Sequence, residues 1–180
     1  MRRRAFATCS SRLQSPYPYH LVRVDSDPKA ASVLFGLKFE NTAPGPSTII
    51  GWLKSSSETP AAATADGAEI RPAQFVENSK FWSHVEHVFR EYAHEDPELQ
   101  AQAAYQKSGW MNITDGRNPP PLGRTGEPED IVGCVLVEDK CIKRGSFQPN
   151  PTHRLATIHG LFQLPRFLQA KLVDHLAIEH

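Results

Sequence analysis

The sequence predicts an α+β fold: short N-terminal strands, a helical pair, then a three-stranded antiparallel meander closed by a C-terminal helix. Three observations carry this reading. Short runs rich in β-branched and aromatic residues gather near both ends of the 180-residue chain instead of alternating with helices. Between them, residues 75–106 repeat their large apolar residues at steps of three and four. Proline and glycine concentrate in residues 109–130, which divide helix-like from strand-like sequence.

The chain begins with Arg2, Arg3, Arg4 and Arg12 among Ser, Thr and Ala, and its first acidic residue is Asp25. An Arg-rich, hydroxyl-rich stretch without acids has the composition of a mitochondrial transit peptide, assigned here to residues 1–18, and lacks the apolar centre of a secretory signal. The sequon Asn112-Ile113-Thr114 has meaning only in the secretory route, so no glycan is expected there. The whole chain balances 20 basic against 20 acidic residues. Without those four arginines, sixteen basic residues face twenty acidic ones, a net charge of −4. General nucleic-acid binding, which draws on a surplus of Lys and Arg, is therefore not expected. The longest apolar runs are strand-sized, so no transmembrane segment is expected.

Residues 19–54 hold three strand-like runs, 19–24, 32–39 and 47–54, separated by Asp25-Ser26-Asp27-Pro28 and by Asn41-Thr42-Ala43-Pro44-Gly45-Pro46. Residues 55–74 offer almost no apolar anchors beyond Ile70 and read as a flexible linker, because burial there cannot offset the cost of ordering. Residues 75–180 then form one domain with 19–54. Phe81, Trp82, Val85, Val88, Phe89 and Tyr92 form one helical stripe, with Asn78 or Ser79 as cap. Asp96-Pro97 restarts a second helix, Asp96 capping it and Pro97 in the first position, and Gly109 is placed to end it.

The stretch from Gly109 to Asp130 is too rich in Pro and Gly for helix or inner strand, and Trp110, Met111, Ile113 and Leu122 give it apolar anchors. It is expected to be an ordered, wrapping loop, since connections this long are functional or disordered. Residues 131–137, 141–147 and 155–159 read as the meander, with Glu138-Asp139-Lys140 as its first turn. Pro165 opens the closing helix, where Leu164, Leu168, Leu172 and Leu176 recur at four-residue steps.

The chemistry is sparse. Cys9, Cys134 and Cys141 are an odd set without metal spacing and are expected as free thiols. His84, His87 and Glu91 share one helix face, an imidazole–imidazole–carboxylate set. At about 100° per residue this face lies away from the apolar stripe, so a solvated face is the expected account. His153 and His159 could meet Asp115, Glu129 or Asp130 for acid–base work if the loop folds back. No nucleophile stands in an activating context.

One stretch, Pro121-Leu122-Gly123-Arg124-Thr125-Gly126-Glu127-Pro128-Glu129-Asp130-Ile131, resembles a late segment of the short-chain dehydrogenases, where such a run precedes a helix. That family's nicotinamide chemistry uses a Gly-rich turn after the first strand and a Tyr with a Lys four residues on. Here Tyr105 and Lys107 stand two apart and the early glycines are scattered, so no catalytic residue carries over and no cofactor or metal is expected. The expected function is that of a mitochondrial matrix accessory or assembly protein working through protein-protein contacts, with a respiratory complex or the mitochondrial ribosome as host. Trp110, Arg117, Arg124, Asp130 and Arg154 are the expected partner contacts, since functional residues favour loops, and the alternative for Arg117 and Arg124 is pairing with Glu127, Glu129 or Asp130 of the same loop. The alternative is a small matrix enzyme using His and carboxylate residues around the Pro/Gly-rich loop, and the balance leans away from an enzyme.

Overall fold

The long amphipathic helix is the strut between two antiparallel sheets. The structure is a computed structural model that describes residues 19–24, 33–39, 45, 47–55, 72–121 and 124–178. The transit peptide expected at residues 1–18 lies outside the described residues. So does most of the expected linker, whose two ends, Ser55 and Pro72–Gln74, belong to a strand and a single 3-10 turn.

The first sheet runs β1 (Tyr19–Val24), β2 (Val33–Phe39), β3 (Gly51–Ser55), β4 (Phe75–Glu77), each antiparallel to the next. The three expected N-terminal runs are thus strands, the third beginning later because Ser47 and Thr48 form a turn. Residues 75–77 were expected in the helical stretch but pair with β3, placing Phe75 inside and Val76 outside. Asn78 then ends the strand and starts the helix. Its side chain donates to Ile49 O (2.6 Å) and accepts from Lys80 N (3.1 Å).

Helix α1 (Ser79–Tyr92) buries Phe81, Val85, Val88 and Phe89, the stripe its periodicity predicts. After a 3-10 turn, α2 (Pro97–Gln106) is capped by Asp96, whose Oδ1 accepts from Glu98 N and Leu99 N (2.9 Å each). The helix ends before Gly109, at Lys107, which takes a positive φ of 77°.

The second sheet corrects two expectations. Residues 109–114 are not loop but strand β5 (Gly109–Thr114), paired with β6 (Ile131–Glu138). Met111 and Ile113 point inward while Trp110 and Asn112 point outward, the period-2 alternation of a half-buried strand. The first proline comes only at Pro119, so the ladder loses no donor. The meander is also absent in its expected form. Strand β6 is central, taking β5 on one side and both β7 (Cys141–Ile142) and β8 (Gln148–Pro149) as further partners. The return run is cut in two by a turn containing Gly145 (φ 72°). Residues 155–161 form a separate small hairpin, β9 (Ala156–Thr157) and β10 (Gly160–Leu161). The first turn is confirmed at Asp139 and Lys140, both at positive φ (50° and 67°), as a two-residue hairpin joint requires.

Helix α3 (Arg166–Ile178) packs on α1 and buries Leu168, Leu172, Val173 and Leu176. Phe81 meets Phe39 of the first sheet and Phe162 beyond β10, at centroid distances of 6.2 and 5.7 Å. Two turns on, Phe89 stacks at 4.8 Å on Phe147, the residue just before β8 of the second sheet. One continuous core therefore joins both sheets, with α1 at its centre.

Candidate functional site

The polar residues of the Pro/Gly-rich stretch converge on the neck of a loop that leaves β5 at Asp115 and re-enters β6 after Asp130. A register shift between Ile113 and Thr114 ends the ladder and lets the chain turn inward. Asp115 N donates to Asp130 O at 2.7 Å, closing the neck by backbone. The Asp115 side chain then folds over its own turn: Oδ1 accepts from Arg117 N (3.0 Å) and from Gln163 N (2.7 Å). This is the local bonding for which an aspartate is suited at a turn.

Arg117 bridges the same neck through its side chain. Its Nε donates to Asp130 Oδ1 at 2.7 Å and its Nη2 to Glu129 O at 2.9 Å, with Asp115 Oδ2 at 3.6 Å. Asn118 Nδ2 occupies the second oxygen of Asp130 at 2.9 Å. The side chains of Arg117, Asp115 and Asp130 are all fully buried. A guanidinium between two carboxylates compensates charge that would otherwise be costly in the interior, yet Nη1 of Arg117 is buried without a partner.

His153 completes the cluster. Its Nε2 lies 3.2 Å from Asp115 Oδ2, and its ring stacks on Trp82 of α1 at 4.9 Å and 21°. A carboxylate oxygen only accepts, so Nε2 carries the proton in this contact. The strap that brings His153 here is itself laced to the neck. Asn150 Nδ2 donates to Pro128 O and Ile131 O (2.8 Å each), Thr152 Oγ1 to Pro128 O (3.2 Å), and Arg154 N to Glu129 O (3.1 Å).

The structure thus brings His153 and Asp115 together, as the fold-back of the loop allowed. They meet in a closed interior where Asp115 already serves Arg117 and Gln163. His159 stands apart from that pair, 3.9 Å from Glu127 Oε2 and half-exposed. Glu127, Asp130 and His159 bring one ligand atom each within 4.8 Å of one another. Both oxygens of Asp130 are already held, one by the cation Arg117, so an added metal ion there meets repulsion and a lost ion pair.

The five expected partner contacts divide by where the fold places them. Arg117 and Asp130 face each other inside the neck rather than presenting to a partner, because neither can be buried without the other. Trp110 (51% exposed), Arg124 and Arg154 do reach the surface. Among the described residues, neither Arg124 nor Arg154 has a carboxylate partner within ion-pair distance. Sequence reasoning missed the roles of Asn118, Asn150, Gln163 and Trp82. The Asp-x-Arg-Asn order was the available signal, a turn-forming aspartate followed at once by donors.

Among the described residues Cys134 and Cys141 are free thiols, and they do not face each other, since Cys134 sits opposite Asn112 and Cys141 opposite Glu138. Burial pushes the Cys134 thiol pKa up, the opposite of activation. No family model matches this chain, and neither a curated protein nor a solved structure does.

Proposed function

We propose that the protein is a mitochondrial matrix accessory or assembly factor acting through protein-protein contacts, with a respiratory complex or the mitochondrial ribosome as host. The observation that carries the contact role is Trp110. It stands half in water on the outer face of the second sheet, in register with partly buried Leu136. Asn112, Cys134 and Gln148 continue that face in one cross-strand row. An exposed tryptophan backed by a rigid sheet loses little conformational freedom on docking and has a large apolar area to bury, the profile of an interface anchor. Tyr105, 91% exposed near the end of α2, adds a second aromatic just before it in the chain. The matrix address rests on the acid-free, Arg-rich composition of residues 1–18.

A small matrix enzyme is the second reading, supported by the His153–Asp115 contact. The burial of both groups and the full occupancy of Asp115 suit the positioning of a loop better than contact with a substrate. Sedimentation of mitochondrial extracts through a density gradient tests the contact role. Wild-type protein is expected with a large particle, and Trp110→Ala near the top of the gradient with an unchanged melting temperature. Wild-type protein migrating as a monomer would end this reading.

A further inference from the structure

A second polar cluster lies at the α1–α3 contact. His84 and His87 project from α1, where a plain solvated face was expected, and α3 brings His175 against both. His84 Nδ1 and His175 Nε2 are 3.0 Å apart, and the His87 and His175 rings lie 4.8 Å apart at 29°. His84 and His175 are partly buried, while His87 is exposed.

We infer that His84, His175 and His87 form a binding site for a divalent transition-metal ion of the zinc, nickel or copper class, clamping α3 to α1. Two nitrogens each about 2.0–2.1 Å from a shared ion stand about 2.9–3.4 Å apart for bond angles of about 90–110°. The observed separation falls inside that span, so the ion takes the place of the single proton the two rings share. His87 follows His84 by three residues on the same helix flank, so a turn of its exposed side chain supplies a third nitrogen. Among the described residues the set is made of imidazoles, which favour borderline ions over calcium or magnesium, cations that require oxygen ligands. Glu91, the next acidic group along this flank, stays outside the set. Its carboxylate bonds Arg144 Nη2 at 3.0 Å, and that bond holds its pKa below the usual glutamate range. A fourth position is left for water or a donor from a partner.

The test uses the full chain without a polyhistidine tag, stripped of metal and titrated with zinc chloride alone, followed by calorimetry and by ring-nitrogen NMR of ¹⁵N-histidine-labelled protein. One equivalent is expected to bind and to shift the ring signals of His84, His87 and His175. Affinity is expected to fall by about tenfold in His87→Asn and by more in His84→Asn or His175→Asn, with His159→Asn unchanged. The NMR arm needs only wild-type protein for the binding signal, so a variant that fails to fold does not blunt it. Failure to bind zinc, unmoved His84 and His175 signals, or loss of binding in His159→Asn would each overturn the assignment, the last by moving it to the Glu127–Asp130–His159 group.

Discussion

Arg117 shows how much a single side chain can decide. An arginine beside prolines suits a carboxylate on a partner or an acidic residue of its own loop, and Arg117 binds the second kind. Nothing in the sequence separates the two outcomes, since Asp130 lies far along the chain and only the fold-back of the neck makes them neighbours. Replacing Arg117 with Met leaves Asp115 and Asp130 buried beside each other without their cation. We expect a loss of about 3–5 kcal/mol in urea unfolding, the cost of breaking a buried pair from one side. A loss well under 1 kcal/mol would mean that water reaches the neck. Glu91 is the exposed counterexample. Its pKa is lowered chiefly by its hydrogen bond to Arg144, so any stability from this pair is present above the unfolded glutamate pKa and fades as pH falls through the depressed one. In Arg144→Met the Glu91 pKa is expected to rise toward its ordinary value, read by NMR titration, with a melting temperature hardly altered at neutral pH.

Among the elements, legibility followed periodicity. The stripe of α1, the caps at Asn78 and Asp96 and the four-residue leucine repeat of α3 are all written in strong local patterns, and all are found. Strand β5 was missed because its signal is only Met111 and Ile113 turned inward, beside a dense Pro and Gly neighbourhood that argues for loop. The meander was misread because Ile131 to Val137 announces a buried strand without naming its partners. That β6 would take three of them is settled by register, β5 and β8 meeting it at Gly133 and Cys134 and β7 at Val137 and Glu138, not by composition. Gly133 is where this arrangement is most exposed to change. A Cβ there would press on the carbonyl oxygen of Gln148 and come 2.6 Å from the Phe147 ring. Gly133→Ala is therefore expected to cost about 1–3 kcal/mol, as overpacking does, and to speed amide exchange in β8 ahead of β5. Equal exchange in both strands would place the strain elsewhere.

For the molecule as a whole, the α+β class was legible because strand-like runs and helical periods are segregated along the chain. The site was legible only as a stretch of sequence, since its bonds join residues far apart. The matrix address has its own test. Removing residues 1–13 is expected to leave the protein in the cytosol on fractionation, and matrix protein from that variant would refute it. The core has another. Phe162→Ala empties the junction of Phe39 and Phe81 and is expected to cost about 3–5 kcal/mol, with both sheets melting together in one transition. Separate melting of the two would show that α1 does not couple them.

That aromatic junction also sets a schedule for folding. Phe39 belongs to the first sheet, yet two of the rings it rests on, Phe81 and Phe162, are supplied later, the second close to the final helix. Closing so long a span costs entropy before any contact returns it, so the core face around Phe39 is completed only when nearly the whole chain is present. Under the proposed matrix address, such lateness would keep the leading segments threadable while the trailing ones are still outside the membrane.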